Sequence, residues 1–148
     1  MRLFFAAILP LLLILAGCSS SSGLSGLTPC EGTVTYKGEP VVGAVITFHP
    51  SGDTRASGAV AGGDGRFKVT TLQPEDGITP GNFRVTIVKY EEYGPQLPQV
   101  MSDDGIMVDQ SRPQRNILPG KYANPDTSGL TANIEGTKLV TLQFDLAD

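Results

Sequence analysis

The spacing of glycine and proline constrains this chain more than any other feature. The sequence holds 18 glycines and 11 prolines, and from Glu31 onward they fall roughly every eight to twelve residues, the interval of an all-β domain with a turn after each strand. The segments between them are too short for ordinary helices and alternate apolar with polar residues. Such alternation puts one side of each segment in a core and the other in water. No helix is expected beyond Glu31.

Seven strands follow from this pattern. Cys30–Tyr36 places Cys30, Val34 and Tyr36 on one face, and Lys37-Gly38-Glu39-Pro40 turns the chain. Ala44–Phe48 directs Ala44, Ile46 and Phe48 inward, ending at Pro50-Ser51-Gly52-Asp53. Arg55–Ala61 is a strand of small residues. Gly62-Gly63-Asp64-Gly65 then carries the Asp-Gly signal of a tight hairpin, leading into Arg66–Thr70 with Phe67 and Val69 inward. Gly81–Lys89 has Phe83, Val85 and Ile87 on its inner face. Leu130–Ile134 and Leu139–Leu146 close the domain, joined by an expected hairpin turn at Glu135-Gly136-Thr137-Lys138. Phe48, Phe67, Phe83 and Phe144 form the expected aromatic centre, there being no tryptophan. Between the fifth and sixth strands lies a long stretch, residues 90–129, with five prolines and little periodicity. Uninterrupted loops of that length are uncommon in compact domains and usually functional or disordered.

The first seventeen residues have a different character. Met1 and Arg2 precede an apolar run from Leu3 to Leu15, interrupted at Pro10 and followed by small residues. This is the layout of a secretory signal, too short for the roughly 20 residues of a membrane span. Leu15-Ala16-Gly17-Cys18 resembles the lipobox of bacterial lipoproteins. The resemblance implies cleavage before Cys18, lipidation of its thiol and acylation of the new amino terminus. Several acyl chains on one residue make a stable anchor. Ser19 at the next position is similar to lipoproteins sent to the outer membrane. Residues 18–29 then form a lipidated, serine-rich flexible tether, and residues 30–148 the domain. The expected location is the cell envelope, on the outer membrane or else the outer face of the cytoplasmic membrane. Loss of Arg2 with the leader takes the formal charge from −4 to −5, so no electrostatic footprint for nucleic acid remains. With Cys18 lipidated, Cys30 is the one remaining thiol, and its phase with Val34 and Tyr36 makes it a small buried hydrophobe.

Three stretches between residues 31 and 88 resemble the carboxypeptidase regulatory-like, or transthyretin-like, β-sandwich. They are Glu31 to Ile46, with its Gly-x-Val and Gly-Ala-Val-Ile elements; Gly58 to Phe67, with Asp-Gly-Arg-Phe; and Pro80-Gly81-Asn82-Phe83-Arg84-Val85-Thr86-Ile87. The tail, with Leu118-Pro119-Gly120-Lys121-Tyr122 and Ser128-Gly129-Leu130-Thr131-Ala132, is similar to small lipoproteins built on this domain alone. The resemblance implies a seven-stranded antiparallel transthyretin-like (Ig-like) sandwich with one long loop. It implies little chemistry, because fold does not fix function.

Chemistry is sparse in the residues themselves. His49 is the sole histidine, and a triad would need partners that no motif nominates. The transthyretin-related hydrolase of urate breakdown shares the fold but has several histidines and a terminal Tyr-Arg-Gly-Ser, whereas this chain closes Asp145-Leu146-Ala147-Asp148. Asp103, Asp104 and Asp109 make an acidic loop whose spacing does not match a calcium-binding hand. No catalytic residue, metal ligand or cofactor is expected. Tyr90, Tyr93 and Tyr122 flank the long loop and form the candidate interaction surface; the loop's apolar residues, Leu97, Val100, Met101, Ile106, Met107, Ile117 and Leu118, either join that surface or fold back over the domain. The expected function is a non-catalytic, membrane-anchored module that binds or serves a structural role in the envelope, its partner a protein or glycan. The alternatives are a carbohydrate-binding module and a hydrolase using His49.

Overall fold

The computed structural model describes residues 26–94, 100, 101, 104, 107, 108 and 112–148. Residues 1–25, with the expected signal and Cys18, lie outside the described residues, as do Leu97, Asp103, Ile106 and Asp109. Along the chain run β1 (Cys30–Tyr36), β2 (Glu39–Pro40), β3 (Val45–Pro50), β4 (Ser57–Val60), β5 (Arg66–Lys68), β6 (Gly81–Val88), β7 (Tyr90–Glu92), β8 (Val100–Met101), β9 (Met107–Val108) and β10 (Gln114–Asn116). A short 3-10 helix, Gly120–Ala123, precedes β11 (Leu130–Ile134) and β12 (Val140–Leu146). The protein is all-β, in several mostly antiparallel sheets.

The alternation read from the sequence places the core. Val34 of β1, Ile46 and Phe48 of β3, Val85 and Ile87 of β6 are all fully buried, while their sequence neighbours Thr35, Thr47 and Arg84 are not. One sheet has the order β11-β6-β3-β4. In the other, β1 pairs β12 along one edge, and on its other edge pairs β5 at its start and β2 at its end. Both sheets contribute to one core. Phe48 and Phe83 from the first meet Phe67 and Phe144 from the second: Phe48–Phe83 is edge-on at 6.2 Å, Phe48–Phe67 tilted at 6.4 Å, and Phe67–Phe144 stacked at 6.1 Å. Each such ring is worth about 1.5–3 kcal/mol in burial, with a further ~0.5–1.5 kcal/mol per well-oriented aromatic pair.

Four expectations change. The strands are not uniformly antiparallel: β1 and β12 run parallel, Cys30 beside Val140 through Tyr36 beside Leu146. The turn at residues 62–65 closes only a partial hairpin: the Gly62 N–H bonds the Arg66 carbonyl and Gly58 bridges Thr70, but β4 then pairs β3 and β5 pairs β1; the turn at residues 135–138 joins no paired strands, passing from β11 on β6 to β12 on β1. A turn signal specifies local backbone angles and carries no information about the partner strand. The stretch 90–129 is not one structureless loop. It contains a two-stranded β7–β10 ribbon, a short β8–β9 pairing and the 3-10 helix, and Leu118 and Tyr122 fold back into the core. Finally, the packed chain starts ahead of Cys30. Thr28, assigned to the tether on composition, is fully buried, exchanges backbone hydrogen bonds of 2.7 and 2.9 Å with Ile78, and donates its hydroxyl to the Gly136 carbonyl.

Candidate functional site

The β7–β10 ribbon continues β6 beyond the end of its sheet. Tyr90, Glu91 and Glu92 pair with Asn116, Arg115 and Gln114, and the Tyr93 N–H extends the ladder by donating to the Pro113 carbonyl at 3.0 Å. Strand alternation then sorts the side chains onto two faces. Tyr93 shares a face with Glu91 and Arg115, and the Arg115 guanidinium lies 5.9 Å from the Tyr93 ring centroid. Tyr90 shares the opposite face with Glu92, which approaches Arg112 at 3.7 Å. Both rings are well exposed, Tyr90 at 55% and Tyr93 at 48%.

Tyr122 does not belong to this surface. It is buried on the 3-10 helix, and its hydroxyl donates to the Ala147 carbonyl at 2.9 Å while accepting the Ala147 N–H at 3.0 Å. It ties the 117–129 segment to the backbone just beyond β12. The expected trio therefore resolves into two outward tyrosines on opposite ribbon faces and one structural tyrosine. Sequence proximity to a long loop gave no means of telling them apart.

His49, on the outer side of β3, has its Nε2 2.9 Å from the Thr86 hydroxyl of β6. A hydroxyl within reach of an imidazole is the first element of a nucleophile–base pair, but catalysis also requires an orienting group for the ring and donors for an oxyanion. Neither is placed at His49 among the described residues. Nor, among them, do three or more His, Cys, Asp or Glu side chains converge as metal ligands. Asp104 is exposed. Cys30 is buried against the core as its phase requires. Burial, and secondarily the Glu31 carboxylate, push its thiol up to about 11.

One concavity was not legible from sequence. Where β4 faces β5, the Gly58–Thr70 bridge closes one end of a seam and the Gly62 N–H, bonded to the Arg66 carbonyl at 2.7 Å, closes the other. No bridge joins Val60 to Lys68 between them. The outer surfaces of the two sheets bend around this seam into a groove of about 1020 Å3, walled by Val45, Thr47 and Val60 on one side and Thr33, Arg66 and Lys68 on the other. Its cations are engaged, Lys68 with Glu75 at 2.7 Å and Arg66 with Asp64 at 3.4 Å. Its one aromatic lining residue, Phe67, is buried. The groove therefore offers threonine hydroxyls, valine methyls and the Glu31 carboxylate, without an exposed ring for stacking.

The position of the ribbon follows from the direction of β6. Gly81 at its start pairs with Ile134, near Thr28 and the place where the described chain begins. Val88 at its end leads into Tyr90. Eight residues of strand span ~26 Å, so the two exposed tyrosines stand at the end of the domain remote from Gly26.

No family model matches the chain, and no curated protein matches it. Among solved structures, a 9R-lipoxygenase from Cyanothece PCC8801 aligns with 86% of this chain and 17% of its own, at 9% identity and a TM-score of 0.35. A likeness at that level carries no conclusion about fold or activity.

Proposed function

We propose that the chain is a lipid-anchored, non-catalytic β-sandwich of the transthyretin-like kind that presents a binding surface within the cell envelope. The observation that carries this reading is the polarity of the domain. Residues 18–25 join it at Gly26, and the exposed tyrosines lie at the other end of β6. A domain tethered at one end projects its far end outward, which is where a ribbon with half-exposed aromatics and a neighbouring arginine is suited to meet a partner. Tyrosine and arginine are the residue types that most often dominate binding energy at interfaces. The lipobox residues Leu15-Ala16-Gly17-Cys18 support the anchor.

Two measurements test the reading. Palmitate incorporation is expected in the wild type and absent in Cys18→Ala. A photo-reactive side chain at position 90 or 93 of the full chain, expressed in cells, is expected to yield a discrete adduct that Arg115→Ala weakens. Adducts formed from position 60 in the seam, with none from 90 or 93, overturn the placement of the surface. A glycan partner is the second reading, favoured by the exposed Tyr90 and Tyr93 rings, since sugar faces stack on aromatics. Glycan-array binding lost in Tyr93→Ala distinguishes it from a protein partner.

A further inference from the structure

The end of the domain where the tether arrives carries its own apolar surface. The backbone there is closely held. Thr28 and Ile78 exchange hydrogen bonds, and the Val140 N–H donates to the Pro29 carbonyl at 2.9 Å, which sets Leu139 beside the incoming chain. The adjoining loop 71–77 is fastened by Asp76, whose carboxylate accepts the N–H groups of Thr71, Leu72 and Gln73 at 2.7–3.0 Å. On this fixed frame Leu139 is 58% exposed and Leu72 40%, with Leu27 half-buried between the tether and the fold. Solitary exposed leucines are ordinary. Here both stand at the end of the domain where the chain leaves toward its anchor.

Three acidic groups at this end are engaged within the fold. Glu75 pairs with Lys68, Asp76 is saturated by loop amides, and Glu135 accepts from the Asn133 side chain. Lys138 is exposed beside Leu139. Exposed leucines thus stand at this end among charges largely held within the fold, with the Glu31 carboxylate close to Leu139. The eight residues Cys18–Ser25 can span at most about 28 Å. A surface held that near its target experiences an effective concentration on the order of millimolar, so a contact too weak to form between free partners is populated.

We infer that this end of the domain docks on the bilayer that holds the lipidated Cys18, with Leu72 and Leu139 entering the interfacial layer and the tyrosine ribbon directed away from it. The inference rests on the lipid-anchor reading above. Docking of this kind is driven by apolar burial and is insensitive to salt and to anionic lipid, in contrast to polybasic attachment.

The absence of tryptophan from the chain provides the test. Leu139→Trp, Leu72→Trp and Tyr93→Trp are each prepared in the full lipidated chain and reconstituted into phosphatidylethanolamine–phosphatidylcholine vesicles with brominated acyl chains. Emission from positions 139 and 72 is expected to be blue-shifted and quenched several-fold more than emission from position 93, equally in low and high salt. Equal quenching at all three positions, or stronger quenching at 93, overturns the docking. Flotation with vesicles separates this from failure of the anchor. A chain that floats but shows no preferential quenching refutes docking alone; one that does not float refutes the anchor, and docking with it.

Discussion

Replacing Gly32 by alanine isolates a steric requirement that no turn explains. Gly32 lies in the middle of β1, opposite Phe67 of β5 and beside Leu142 of β12, and its φ lies outside the left-handed region. A Cβ there would stand 2.3 Å from the Leu142 carbonyl oxygen and 2.6 Å from the tip of the Phe67 ring. The ring cannot move freely, because it stacks on Phe144 at 6.1 Å and leans on Phe48. The carbonyl belongs to backbone in the parallel ladder. Overpacking a core by a methyl typically costs ~1–3 kcal/mol, and two nearly immovable obstacles put this case near the upper end, about 3 kcal/mol. For a domain of this size that corresponds to a fall in Tm of about 10 °C. Two companions calibrate the figure in urea titrations followed by circular dichroism. Gly58→Ala, whose nearest neighbour is a carbonyl at 3.5 Å, should stay within about 0.5 kcal/mol of wild type. Gly43→Ala, in open space but at φ +73, should lose about 1 kcal/mol to backbone strain alone. Adding Phe67→Leu to Gly32→Ala should show coupling of ~1 kcal/mol or more, as contacting residues do. A Gly32→Ala protein no less stable than Gly58→Ala, or one strictly additive with Phe67→Leu, refutes the argument.

Three further outcomes follow from particular contacts. Tyr122→Phe leaves the Ala147 carbonyl and N–H without their hydroxyl partner and should lower stability by about 1–2 kcal/mol by urea titration, without weakening partner adducts at Tyr93. The Cys30 thiol, pushed up to about 11 by burial and Glu31, should be about a thousandth thiolate at pH 8, against roughly a tenth at its ordinary value of 9.0; iodoacetamide modification of the native protein should be about a hundred times slower than of the unfolded chain. Because folding raises this pKa from 9.0, the thiol's contribution to stability is complete below pH 9 and lost as pH rises through about 11. At Asp76, desolvation acts to raise the carboxyl pKa, but backbone hydrogen bonds from Thr71, Gln73 and Leu72 outweigh it and hold it below the ordinary value; its stabilisation is present above the unfolded pKa and lost as pH falls through the folded one. Asp76→Asn should lower stability at neutral pH by about 1 kcal/mol and flatten the acid limb of the stability curve.

What the sequence revealed was whatever depends on alternation. The inward faces of β1, β3, β6 and β12 and the four-phenylalanine centre could be read because burial repeats every second residue. What depends on partners could not. Nothing local distinguishes a turn that closes a hairpin from one that hands the chain to another sheet, as residues 135–138 do. Short strands such as β7 and β10 have too few residues to show a period. Tyr122 and Tyr93 are the same residue type near the same stretch, and only packing makes one a structural tie and the other an exposed ring. Gly32 stands in the Gly-x-Val element of the sequence, and its requirement is room for the Leu142 carbonyl and the Phe67 ring, which no sequence pattern shows.

The pairing of β1 with β12 has a kinetic consequence. Cys30 and Val140 are neighbours in the sheet and more than a hundred residues apart in the chain, so the strand that emerges first stays without one of its two flanking partners until the strand that emerges last is available. Closing so large a loop slows folding. The flank of β1 that β12 covers therefore stays unpaired until residues 140–146 are available, while β3, β4 and β6, all within residues 45–88, can pair without it.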